Sequence, residues 1–142
     1  MLKWIENLRH HAPFATNPAL VKMDSDVVLA IAGDWGTGPF DSHAPAVAVA
    51  NQMQLAEADF TIHLGDVYYA GTHSQEDVDM VGWPQGKHGS FTLNSNHEMY
   101  SGAHGYFKEL AKRFPVQQGT SYFALYNDDW LVVGLDSAYA SD

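Results

Sequence analysis

A chain of 142 residues with 46 % apolar and 13 % aromatic content is long and apolar enough for one domain with its own core. Its 17 acids against 7 bases give a formal charge of −10, which argues against binding nucleic acid or an anionic membrane surface. The lack of cysteine excludes disulfides, thiolate metal sites and cysteine nucleophiles, and no apolar run reaches the length of a membrane span.

Residues 1–25 read as a lead-in of packing or linker character. Trp4, Ile5 and Leu8 recur at helical spacing, and Pro13 and Pro18 then break the pattern. Residues 1–11 contain no signal-peptide core, so cytoplasmic residence is the default expectation. The neighbouring His10 and His11 would point apart on a helix and are not read as metal ligands.

From residue 26 to 142 the chain reads as a domain portion of α/β class. Residues 27–32 are an aliphatic run, hence a buried strand, ending at Gly33-Asp34-Trp35-Gly36-Thr37-Gly38. The glycines allow a tight loop, but the lysine of a phosphate-binding P-loop is missing. Residues 45–57 are helical, with Ala46, Val49, Ala50, Met53 and Ala56 as the expected core stripe. Residues 60–64 form a second buried strand that stops at Gly65, followed at once by Asp66 and, three positions later, Tyr69. Strand, helix and strand make a βαβ unit, which puts Asp34 and Asp66 on the same rim of a parallel sheet.

Residues 72–88 are polar and loop-like, with a short helix possible over 75–81; His73 and His88 read as solvated or rim histidines rather than ligands. Residues 91–93 form a third short strand, leading into Asn94-Ser95-Asn96-His97-Glu98. Residues 103–114 are a helix with Tyr106, Phe107, Leu110, Ala111 and Phe114 on one face, closed by Pro115. Residues 122–126 and 130–135 flank Asn127-Asp128-Asp129 as a β-hairpin, and Asp136-Ser137 at its end reads as structural. Trp35, Tyr68 and Tyr100 are candidates for the rim of a site or for core.

Three segments, Gly33-Asp34-Trp35-Gly36, Gly65-Asp66-Val67-Tyr68-Tyr69 and Asn96-His97-Glu98, in this order and spacing, resemble the calcineurin-like metallophosphoesterases. The likeness is greatest to their purple acid phosphatase branch and covers about residues 26–137. The resemblance implies a βαβ-based half of a four-layer α/β sandwich ending in a β-hairpin. It implies two metal ions, iron with iron, zinc or manganese. Asp34 would bind the first metal, Asp66 would bridge both, Tyr69 would give a phenolate to the first and Asn96 would bind the second. Asn96 and His97 would contact the phosphate, and His97 would protonate the leaving group. Gly36 stands where many relatives have a histidine ligand, a loss that the Tyr69 phenolate offsets.

The implied activity is hydrolysis of phosphoric esters, as in an acid phosphatase, by a hydroxide generated on the metal pair. Hard oxygen donors suit such ions. Ser95 replaces the glycine expected before Asn96-His97, which would strain the loop if that position needs positive φ. The last two histidine motifs of the family are not found before Asp142. The resemblance therefore implies a truncated domain, inactive or weak alone, with the second sheet missing and an apolar sheet face uncovered. Self-association or a complementing C-terminal half is then expected. The alternatives are a non-catalytic α/β fragment or interaction module, and a phosphodiesterase with the same motifs.

Overall fold

The structure, a computed structural model, describes residues 10–13, 15–36 and 44–140. It is a mixed α/β fold with two three-stranded sheets and, among the described residues, four α-helices. In the first sheet β2 (Leu29–Ala32), β3 (Phe60–His63) and β4 (Gly89–Thr92) run parallel in that order, with Leu29 opposite Phe60 and Phe60 opposite Gly89. Helix α1 (Pro45–Leu55) lies between β2 and β3 in the chain, the expected βαβ connection, and Pro45 occupies its first turn. Helix α2 (His73–Asp79) runs on into a 3₁₀ turn at Met80–Gly82. The four-residue α3 (Asn96–Met99) and then α4 (His104–Arg113) follow β4.

The second sheet corrects two expectations. Residues 1–25 are not only a lead-in, because β1 (Ala19–Lys22) is a strand that pairs in parallel with β5 (Phe123–Tyr126). Antiparallel β6 (Leu131–Gly134) completes the order β1-β5-β6. A second sheet is thus present within this chain, against the expectation that it would be missing. The strand at β1 escaped the sequence reading because Ala19-Leu20-Val21-Lys22 sits between Pro18 and polar residues and is too short to show a period. The possible helix over residues 4–8 lies outside the described residues.

Strand alternation explains the layering. Phe60, Ile62 and Phe91 leave one face of the first sheet and meet Ala19, Phe123 and Leu125 of the second, with the Phe91 and Phe123 rings 4.5 Å apart. The face of the first sheet that looked bare from the sequence is therefore covered. Its opposite face carries Thr61, His63, Ser90 and Thr92, all buried beneath the helical layer. Thr61 Oγ1 accepts from Trp83 Nε1 at 3.1 Å and His63 Nδ1 lies 3.0 Å from Thr92 Oγ1, whereas His63 Nε2 has no partner among the described residues; Tyr106 Oη donates to the Thr92 carbonyl at 2.9 Å. Gln117 closes the edge of β4 with its side chain, accepting from Thr92 N at 2.8 Å and donating to Thr92 O at 2.8 Å. Such amide mimicry of a strand protects an edge.

The helical layer is packed by Trp35, Met53, Met80, Trp83, Tyr106, Leu110 and Phe114. Only Ala50 and Met53 of the α1 stripe are buried, while Val49 and Ala56 are exposed, so that stripe is narrower than expected. In α4 Tyr106 and Leu110 are buried as expected, but Ala111 is exposed. The hairpin forms as expected, with Asn127 Oδ1 accepting from Asp129 N and Trp130 N at 2.9 and 2.8 Å. On the outer face of the second sheet Leu20, Leu131, Val133 and Leu135 are exposed, at 66, 65, 51 and 67 %.

Candidate metal centre

The β2–β3 ladder does not stop where the strands stop. Leu64 N donates to Ala32 O at 2.8 Å, Asp34 N to Gly65 O at 3.1 Å and Trp35 N to Asp66 O at 2.9 Å. A parallel bridge between Trp35 and Val67 closes this extension. Both aspartates take left-handed backbone within it, with φ of 53° at Asp34 and 65° at Asp66, next to glycines of positive φ at Gly36 and Gly65. Asp tolerates this region better than most residues, yet it stores strain, and such positions gather where a side chain must be aimed. The strand-end placement expected from the βαβ unit is thus realised, with both acids on one rim.

Each carboxylate is clamped through one oxygen. Tyr68 Oη donates to Asp34 Oδ1 at 2.5 Å, and this bond to the anion raises the Tyr68 phenol to about 12, so it stays protonated near neutrality. Ser95 Oγ donates to Asp66 Oδ1 and accepts from Asp66 N at 3.0 Å. Each second oxygen, Oδ2, has no hydrogen-bond partner among the described residues.

Behind Asp66 lies Glu98, fully buried. Its carboxylate accepts from Val67 N at 2.6 Å, Ser95 N at 2.8 Å and Asp66 N at 3.3 Å, and also meets the Ser95 hydroxyl. Burial pushes this carboxyl up, against the lowering effect of those donors. Ser95 and Glu98 form a capping box on α3, so Asn96, His97 and Glu98 sit in a helical turn rather than a loop. Ser95 has φ −135° and ψ −179°, extended backbone open to any residue, so the expected strain at this position is not found.

Asn96 is exposed and its Nδ2 donates to Tyr100 Oη at 3.1 Å. His97 Nδ1 is 2.7 Å from the Tyr69 carbonyl. A carbonyl only accepts, so Nδ1 carries the proton and Nε2 is left for other work. The His97 ring packs against Tyr68 at 4.7 Å and Tyr100 at 5.1 Å. The hydrogen bonds and ring contacts therefore link Asp34 to Tyr68 and His97, Asp66 to Ser95, and Asn96 to Tyr100. The Tyr69 ring is 76 % exposed, and the phenol bound to Asp34 is that of its neighbour Tyr68. Among the described residues no three histidine, aspartate or glutamate side chains are grouped so as to hold a metal ion.

Trp35 is core, 2 % exposed, with Nε1 donating to Asp79 O at 2.9 Å. Asp136 serves the chain end as expected, accepting from Asn94 Nδ2 and from the amides of Ala138 and Tyr139. His88 lies 3.8 Å from Asp59 at the opposite end of the strands, and His73 begins α2. Both are exposed, in keeping with solvated histidines. Sequence reasoning had Tyr68 only as a candidate for rim or core, and missed Ser95 and Glu98 as site-building residues. The Ser-x-x-Glu spacing was the signal available for the last two. No protein-family model, curated protein or solved structure matches the chain.

Proposed function

We propose that the chain carries the strand-end half of a metal-dependent phosphoric ester hydrolase, of the acid phosphatase kind its motifs resemble. The observation that carries this reading is the pair Asp34 and Asp66, both held in left-handed backbone at adjacent parallel strand ends and joined by the Trp35 N to Asp66 O bond. The layering is compatible with it: helices behind the first sheet and a second sheet in front are three of the four layers of such a sandwich.

The donors fit hard cations, because carboxylate, amide and phenol oxygens dominate the rim. Asp34 and Asp66 would hold the ions, iron with iron, zinc or manganese, with Asp66 serving both. Asn96 would contribute its amide oxygen, and Tyr69 its phenolate once the ring turns inward from its exposed position. Bound there, the ions would supply Lewis acidity to a phosphate ester and to an attacking water.

The protein's own part is positioning and proton transfer. With Nδ1–H fixed on the Tyr69 carbonyl, His97 presents Nε2 as the nitrogen able to protonate a leaving alkoxide. The Tyr68 phenol keeps Asp34 from rotating, and Ser95 does the same for Asp66. The second reading is a non-catalytic α/β module, favoured by the outward Tyr69 ring.

Hydrolysis of chromogenic phosphate monoesters and diesters, with and without added iron, zinc or manganese, separates these readings. Metal-dependent turnover abolished by Asp66→Asn is the expected result. Equal inactivity with and without every metal would overturn the hydrolase reading, and preference for the diester would make it a phosphodiesterase.

A further inference from the structure

We propose that Ser95 is a positioning residue that presets the Asp66 carboxylate to take a hard divalent cation through Oδ2. This rests on the metal-centre reading above and goes one step past it, because a serine stands here where the resemblance expects glycine.

Four hydrogen bonds fix the arrangement. Asp66 N donates to Ser95 Oγ at 3.0 Å, and the single proton of Ser95 Oγ lies between Oδ1 of the same aspartate and Glu98 Oε2, placed to be donated to Oδ1. The serine hydroxyl thus spans the backbone and side chain of one residue and ties its carboxylate down. Ser95 itself cannot drift, because its N–H is bound to Glu98 Oε2 at 2.8 Å and its hydroxyl accepts from His97 N at 3.2 Å. Glu98, the anchor, is fully buried. With Oδ1 committed, Oδ2 is the oxygen left for a cation, and the freedom of the carboxylate is already spent before the ion arrives. Hydrogen-bonded carboxylate ligands hold metals more tightly for this reason.

Glycine at this position would remove the hydroxyl without disturbing the backbone, since the extended φ of −135° suits either residue. Glycine is also tolerated at a helix N-cap, so Ser95→Gly spares α3 far more than alanine would. Ser95→Thr keeps the hydroxyl.

The experiment is calorimetric titration of the full 142-residue chain with Mn²⁺ alone, for wild type, Ser95→Gly and Ser95→Thr, with circular dichroism and the melting temperature of each metal-free protein alongside. The expected result is Mn²⁺ binding by wild type, a Kd about tenfold or more weaker for Ser95→Gly, and recovery to within about threefold of wild type for Ser95→Thr. If Ser95→Gly binds Mn²⁺ as wild type does, the clamp is overturned while the metal-centre reading stands. If it melts lower but binds equally, Ser95 is only a helix cap and the inference is likewise overturned. If wild type binds no Mn²⁺ and Asp66→Asn leaves its titration unchanged, the metal-centre reading falls and the clamp with it.

Discussion

Val67 N–H donates to Glu98 Oε1 at 2.6 Å, across a sequence separation of 31 residues. This one bond ties the segment after β3 to the turn after β4, and two further amides, those of Asp66 and Ser95, converge on the same carboxylate. Glu98→Ala strands the amides of Val67 and Ser95 around a void, while Asp66 N keeps Ser95 Oγ. We expect a loss of about 3 kcal/mol in urea unfolding. Glu98→Gln, which keeps an acceptor oxygen, should lose less than half of that. Equal midpoints for wild type and Glu98→Ala would show that the carboxylate is not an anchor.

His63 is fully buried, with Nδ1 3.0 Å from Thr92 Oγ1 and its ring 4.9 Å from Trp83. Burial lowers its imidazole from 6.5 to about 3, against the opposing pull of the Asp34 carboxylate. Below about pH 6.5 the unfolded chain takes a proton here that the folded chain refuses, so this group's contribution is complete above that pH. It declines as pH falls toward 3, by about 1.4 kcal/mol per pH unit at most. Glu76 and Glu98 act in the opposite sense, because burial raises both of them. The comparison with His63→Gln isolates the effect. Its urea midpoint should fall less than that of wild type between pH 7 and 4.5, and parallel curves would contradict a neutral, buried His63.

Gly105 sits where α4 presses on the start of α2. A Cβ there would lie 2.3 Å from the Gly71 carbonyl oxygen and 2.9 Å from the Thr72 carbonyl carbon, both backbone atoms that cannot swing aside. Alanine is the better helix former, yet Gly105→Ala should destabilise by about 2 kcal/mol and lower the melting temperature by about 5–10 °C. A rise in melting temperature would mean that the α2–α4 contact is looser than described.

The outer face of the second sheet, with Leu20, Leu131, Val133 and Leu135, should bind the dye ANS in the native state. Val133 is 51 % exposed on the terminal strand of its sheet, so Val133→Lys should leave stability within about 0.5 kcal/mol while reducing dye fluorescence. Unchanged fluorescence would place the dye elsewhere.

The long-period features were the legible ones. β2, β3, α1, α4 and the hairpin announced themselves through apolar runs, helical spacing and turn residues, and the placing of Asp34 and Asp66 on one rim followed from the βαβ rule. What escaped was long-range partnership. Nothing in Ala19-Leu20-Val21-Lys22 indicates that its neighbour lies about a hundred positions away, because strand pairing is decided by tertiary context. Tyr68 and Tyr69 are chemically alike in the sequence, and only the backbone geometry decides which phenol reaches Asp34. Ser95 looked like a liability for want of its φ, and in the fold it is a hydrogen-bonding hub.

The second sheet is stitched from the two ends of the described chain. Besides the β1–β5 pairing, Tyr122 Oη reaches the Thr16 carbonyl, Asn127 Nδ2 the Asp24 carbonyl and Tyr139 Oη the Ala12 carbonyl. During synthesis β1 must therefore wait until residues up to 126 have left the ribosome before it gains β5 as its neighbour. Closing so large a loop comes late and slowly. Until then Phe91 and Ile62 lack the cover that Phe123 and Leu125 give them, and that apolar face stays open to water.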